Sequence, residues 1–254
     1  MKMPVLFVGH GSPMNAIEDN RFTQYWKTLF ASMRTPQAIL SVSAHWYVPG
    51  TRVNDAAQPR IIYDMYGFPP ELYAVSHKAP GAPDLAREAG AMLRERVGID
   101  NTWGIDHGTW SFLHVVDPDA AIPVFQLSVD RDAEPSVHYD IGRQLAPLRD
   151  KGVLILGSGN VVHNLRRVDF DREDGFEWAA SFDAAIRDRV LSRRDDEVIR
   201  YAELGGIARQ SVPTPDHFLP LLYVLGASTA DEPVQVFNEA CVMGSLSMTG
   251  YRIG

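Results

Sequence analysis

Eight histidines stand in the chain, and the surroundings of five of them suit chemistry. In "VLFVGHGSPMNAI" the apolar run Val5 to Val8 reads as a buried strand that exits into Gly9-His10-Gly11-Ser12. Glycine on both sides strips cover from the imidazole and permits unusual backbone angles. At such an exit His10 suits a metal ligand, a phosphate contact or a plain turn. His45 ends a second β-rich run, "AILSVSAHW", and His163 follows a third, "VLILGSGNVVH", where "SGN" reads as a helix start. If the three strands are parallel neighbours, these histidines converge at the carboxyl edge of the sheet, where ligands gather in open α/β folds. Neutral imidazole is the commonest metal ligand, so convergence points to a metal site.

Two further histidines could join them. His217, in "TPDHFLPLLYV", opens a helical stretch, with Asp216 as its expected N-cap. His107, in "IDHGTWSFL", sits in a polar, glycine-flexible turn and suits acid–base work. His77, His114 and His138 lack glycine partners and read as packing residues.

The elements that must position these groups alternate in type. Helical periodicity marks "DNRFTQYWKTLFASMR", "GAPDLAREAGAMLRERVG" (stopping at Gly98), "EPSVHYDIGRQLAPLRDKG", "FEWAASFDAAIRDRVLSRR" and "DHFLPLLYVLGA". Between them lie the apolar runs "IPVFQLSVD" and "VLILGSG", and strand character returns in "PVQVFNEACVMGSLSMTGY". The pattern predicts one domain over residues 1–254, a three-layer α/β/α structure around a mostly parallel or mixed sheet. The Pro-, Gly- and Tyr-rich segment from Val48 to Val75 reads as an excursion over the sheet edge.

Composition narrows the function classes. With 254 residues and 45% apolar content there is chain enough to bury a core without disulfides. The single cysteine, Cys241, excludes an intramolecular disulfide or a multi-cysteine metal site and fits a reducing, cytoplasmic setting. A net charge of −8 argues against nucleic acid as partner. The lack of an 18-residue apolar run argues against a membrane span.

Seven blocks, "GHGSPM", "SAHW", "YDMYGFP", "DHGTWSFL", "GSGNVVHNL", "TPDHFLPLLYVLGA" and "GSLSMTGY", together resemble the 4,5-DOPA extradiol dioxygenase family. That family lies within the class III extradiol ring-cleaving dioxygenases, related to the protocatechuate 4,5-dioxygenase catalytic subunit. The resemblance implies a single catalytic domain with one divalent metal, iron(II) for activity and zinc(II) as an occupant, acting on a catechol and O2. It places the metal ligands on His10, His45 and His217, and His163 as fourth ligand or general base. His107 becomes an acid–base group. The pocket is expected to involve Ser12, Trp46, Tyr63, Tyr66 and Phe68, although the four aromatic residues suit ordinary packing equally well. His217 stands where the related enzymes use a carboxylate, and a shell of four histidines would also complete a zinc tetrahedron. Asp106, Asp216 and Glu239 are expected to orient imidazoles rather than bind metal. Two alternatives stay open: a tetrapyrrole metal chelatase, whose strand exit is similar, and a non-catalytic zinc-binding protein.

Overall fold

The strand nearest the N-terminus, β1 (Val5–Gly9), is buried along its whole length. Its side chains alternate, with Val5 and Phe7 entering one apolar cluster and Leu6 and Val8 the other. A strand apolar on both faces must lie between two helical layers. The computed structural model describes residues 2–94 and 97–254. Within them the strands are β1, β2 (Ala38–Val48), β3 (Arg52–Val53), β4 (Gly98–Ile99), β5 (Val124–Asp130) and β6 (Val153–Gly159), followed by β7 (Val234–Phe237), β8 (Cys241–Val242), β9 (Leu246–Ser247) and β10 (Gly250–Ile253). Eight of them form one mixed sheet in the order β4-β3-β5-β2-β6-β1-β10-β7, and β8 pairs with β9 separately. The central β5, β2, β6 and β1 are parallel, and β10 runs antiparallel to β1.

Helices α1 (Arg21–Ala31), α2 (Pro70–Tyr73), α3 (Pro83–Met92), α4 (His107–Val116) and α5 (Pro135–Leu145) precede α6 (Glu177–Leu191), α7 (Asp195–Ile199), α8 (Gly206–Ser211) and α9 (Leu219–Gly226). Trp26 of α1 and Trp110 of α4 cover one face of the sheet, while Ile141 of α5, Phe182 of α6 and Leu222 of α9 cover the other. This is the expected three-layer α/β/α domain. Among the described residues no helix is long and apolar enough to cross a membrane.

Three local expectations are corrected. The third helix stops at Met92, because Leu93 turns to extended backbone, and Gly98 opens β4 instead of ending a helix. The expected helix also runs through Glu95 and Arg96, which lie outside the described residues. No helix starts at "SGN". His163 instead bridges to Leu246, and its backbone N–H donates to Ser211, so tertiary pairing outcompetes local propensity.

The C-terminal "GSLSMTGY" segment explains the glycines flanking His10. A Cβ on Gly9 would lie 2.7 Å from the Met248 backbone, and Gly11 adopts a left-handed φ of 62°. Buried Asp183 clamps this segment by accepting hydrogen bonds from Ser247 Oγ at 2.5 Å and Thr249 Oγ1 at 2.8 Å. Asp183→Ala would leave both hydroxyls buried without their acceptor. The expected loss is about 2–4 kcal/mol of stability, from ~1–3 per orphaned group, readable as a lower urea midpoint.

Candidate metal centre

Five histidines line one cavity of about 280 Å³: His10, His45, His107, His163 and His217. The topology explains why. Strands β1, β6 and β2 are parallel neighbours in that order, so their carboxyl ends share an edge. His10 leaves β1 with its N–H bonded to the Gly159 carbonyl of β6. His45 lies in β2 where the register with β5 shifts between Val42 and Tyr47, so it is outside the regular ladder pairs. His217 sits in the turn before α9, and its carbonyl accepts the Asn160 N–H just past β6. His107 is the first residue of α4, not part of a flexible turn, because Asp106 caps the helix through the Thr109 N–H. A larger hollow of about 680 Å³ around Arg60, Tyr63 and Lys78 contains none of these histidines.

The hydrogen bonds fix the imidazole tautomers. Ser158 Oγ donates to the Gly108 carbonyl at 2.5 Å, so it must accept from His10 Nδ1, 2.9 Å away. His45 Nδ1 faces Asp64 Oδ2 at 3.2 Å, and His217 Nδ1 bonds the Asp216 carboxylate. With each Nδ1 carrying a proton, each Nε2 is left with a bare lone pair. His10 Nε2 and His45 Nε2 face each other at 3.3 Å, and His217 Nε2 is buried without a partner. Ligand nitrogens of these three residues lie within 4.8 Å of one another. Opposed lone pairs and an orphaned nitrogen are what a divalent cation would satisfy, and carboxylates behind ligating imidazoles are the usual support.

Two adjoining groupings, His45–Asp64–His107 and His163–Asp216–His217, are equally compact. In both, Asp64 or Asp216 already accepts from an Nδ1, which marks an orienting carboxylate rather than a vacant ligand. His163 stands apart from the first trio and stacks flat on His217, with centroids 3.4 Å apart at 6°.

Electrostatics separates the rings. Burial, helped by the four neighbouring histidines, holds His10 well below the usual histidine range. Burial and His163 do the same to His217, and burial lowers His163 to about 4. Burial likewise lowers His107, with His45 adding to it. Burial also acts to lower His45, but the hydrogen bond and charge of Asp64, with Asp106, outweigh it and raise this ring. Burial would raise Asp64, yet His107 and His45 hold it far below the carboxylate range. The neutral rings keep lone pairs available, and cation binding would displace the proton on His45.

The other expectations divide. Ser12, Tyr66 and Phe68 line the histidine cavity, but Trp46 and Tyr63 do not. Trp46 follows His45 in the strand but is buried away from the cavity and stacks on Trp103 at 6.3 Å. Tyr63 turns away beside Asp64 and donates to the Val75 carbonyl at 2.6 Å. Asp216 does not cap α9, whose N-cap is Phe218; it supports His217 instead. Asp106 accepts from Ser43, Trp103 and Gln126, and Glu239 pairs with Arg187 on the surface. His77, His114 and His138 lie outside the cavity.

Two residues that shape the centre escaped the sequence reading. Asp64 touches both His45 and His107, its Oδ1 lying 3.0 Å from His107 Nδ1 and accepting the His107 backbone N–H. Its only local signal was an acid among aromatics in "YDMYGFP". Ser158, inside the buried strand β6, carried none.

Comparison with known proteins agrees with this geometry. A family model described as the catalytic LigB subunit of aromatic ring-opening dioxygenase matches residues 4–254. A 4,5-DOPA dioxygenase extradiol of Escherichia coli K12 is 44% identical over 100% of this chain and 95% of its own length. One from Beta vulgaris is 35% identical over 97% of this chain and 94% of its own. The crystal structure of uncharacterized protein JW3007 from Escherichia coli K12 superposes with a TM-score of 0.88 at 40% identity, covering 100% of both chains. The resemblance seen in the seven sequence blocks therefore extends along the whole chain, and metal chelation of tetrapyrroles and zinc storage give way to ring opening. With a metal-ready trio of histidines at its sheet edge, the chain belongs to the family of the catalytic LigB subunit of aromatic ring-opening dioxygenases.

Proposed function

We propose that this extradiol dioxygenase opens a DOPA-like catechol beside its hydroxyls, using one iron(II) held by His10, His45 and His217, with the whole chain acting as a single catalytic domain in the cytoplasm. The observation that carries the reading is the meeting of three imidazoles whose Nδ1 atoms each face an acceptor, which leaves their Nε2 atoms to a cation. A bound iron(II) would supply adjacent positions for both catechol oxygens and O2, lowering the hydroxyl pKa and linking substrate electrons to oxygen.

The chain's own residues supply the rest. His163 is neutral and free of the trio, so it can take the second catechol proton. His107, held by Asp64 across the cavity, can return a proton to the departing oxygen. Tyr66 and Phe68 wall the ring, while Met65 and Leu246 exclude water. Ser12 lies at the mouth, fixed by its hydroxyl accepting the Met14 N–H.

Protein loaded anaerobically with iron(II) should take up one O2 per catechol and form a yellow hydroxymuconate-semialdehyde-type product. Zinc(II) fits the same nitrogens and should occupy the site without oxygen uptake. Iron-loaded protein that consumes no O2 with any catechol would sink the proposal.

Asp64 gives a finer check. Asp64→Asn keeps the shape but removes the anion that fixes His45 and His107. The expected result is metal affinity lower by about 10–100-fold, measured by competition with a chelator. Unchanged affinity would mean that Asp64 does not orient a ligand.

A further inference from the structure

Four of the five cavity histidines face an acceptor at Nδ1: Ser158 for His10, Asp64 for His45 and His107, and Asp216 for His217. The His163 ring has no such support. Among the described residues no hydrogen bond or ion pair holds it, and its close contact is the flat stack on His217. A stack fixes the plane of a ring but lets it slide within that plane. Where the His163 nitrogens stand therefore depends on where the backbone puts them.

That backbone is held from two sides. On one, the His163 N–H donates to the Ser211 carbonyl and Asn164 Nδ2 to the Gln210 carbonyl, both at the end of α8. On the other, residues 245–247 run beside 162–164. The Ser247 N–H donates to the Val162 carbonyl at 2.9 Å, Leu246 bridges His163, and the Asn164 N–H donates to the Ser245 carbonyl at 3.1 Å. Ser245 Oγ adds a bond to the Asn164 carbonyl at 2.8 Å. Strand β9, at the centre of this strip, has two residues and pairs with an equally short β8 outside the main sheet. Two side chains tie it down. Asn160 Nδ2 donates to the Ser247 carbonyl at 2.7 Å, but Asn160 belongs to the same turn as His163. The anchor from another element is Asp183 of α6, 5% exposed, whose two carboxylate oxygens accept from Ser247 Oγ and Thr249 Oγ1. Hydrogen bonds to an ionised carboxylate are the strong ones. His10 has its own supports: Gly159 for its N–H, Asn15 Nδ2 at 3.0 Å for its carbonyl and Ser158 for its ring.

We propose that Asp183 is a positioning residue for proton transfer, setting the strip from Ser245 to Thr249 and through it the place of His163 in the cavity. This role rests on His163 being the base. A base misplaced by about 1 Å can lose ~10²-fold in rate while metal and substrate still bind.

Asp183→Asn keeps the shape, and its amide can accept from one hydroxyl and donate to the other, so the fold is retained. In iron-loaded protein kcat should fall by about 10- to 100-fold, with KM for the catechol and iron affinity within about threefold of wild type. The double variant separates positioning from plain stability. Because Asp183 acts through His163, Asp183→Asn should cost nothing further in a His163→Ala background. An equal loss in both backgrounds, or an unchanged kcat in Asp183→Asn, would overturn the positioning role and leave the base assignment intact. Wild-type turnover in His163→Ala alone would sink the base assignment and the positioning role with it. Should Asp183→Asn fail to fold, Thr249→Val removes one of the two hydrogen bonds and should show a smaller loss with the same pattern, and no loss there would equally overturn the role.

Discussion

His217→Ala is expected to lower both metal affinity and, with it, catechol turnover by more than about 10³-fold. Loss of a carboxylate that merely orients an imidazole costs about 10–100-fold in metal affinity, and loss of the imidazole itself must cost more. His217 is 6% exposed and its Nε2 has no protein partner, so no neighbouring side chain already stands in its place. The turn carrying it is anchored through backbone, by the His217 carbonyl to Asn160 N–H, which alanine preserves. The fold should therefore survive, and a circular dichroism melt separates loss of metal from loss of structure. His10→Ala and His45→Ala should match it. If metal content survived in His217→Ala but vanished in Glu239→Ala, a carboxylate would be the third ligand.

His163→Ala is expected to do something different: keep most of the iron affinity and lose turnover by about 10²–10⁴, the usual worth of one acid–base group. The geometry carries the distinction. His163 stacks on the face of His217 instead of joining the nitrogens that meet at the trio. An iron(II) held by His10, His45 and His217 would have to keep its other positions for the catechol oxygens and O2. A proton acceptor must then stand off the metal, and burial keeps His163 neutral for that task. Iron binding and single-turnover rates measured on the same preparation separate the roles. A fall in iron affinity as large as that of His10→Ala would make His163 a ligand and move the base to His107.

What the sequence made legible follows from how local each signal was. The exits of β1, β2 and β6 were readable because apolar runs end abruptly in Gly-His, Ala-His and Gly-Asn contexts. That the three exits adjoin depends on β6 inserting between β1 and β2, which no local pattern states. Trp46 failed as a pocket wall because it is buried against Trp103, a partner distant in sequence that no local pattern names. Asp64 was invisible because its segment has neither helical nor strand period and reaches the site only through tertiary packing. Ser158 looked like core because it is core: 0% exposed, it fixes the His10 tautomer from inside the sheet.

X-ray absorption on anaerobic iron(II) protein, with and without a catechol, bears most directly on the proposed centre. Three imidazole nitrogens should surround the iron in both states, near the ~2.0–2.2 Å typical of metal–imidazole bonds. The catechol should add two oxygens without displacing any nitrogen. A fourth imidazole that persists beside bound catechol, or two imidazoles with a protein carboxylate, would contradict the trio of His10, His45 and His217 with His163 standing free.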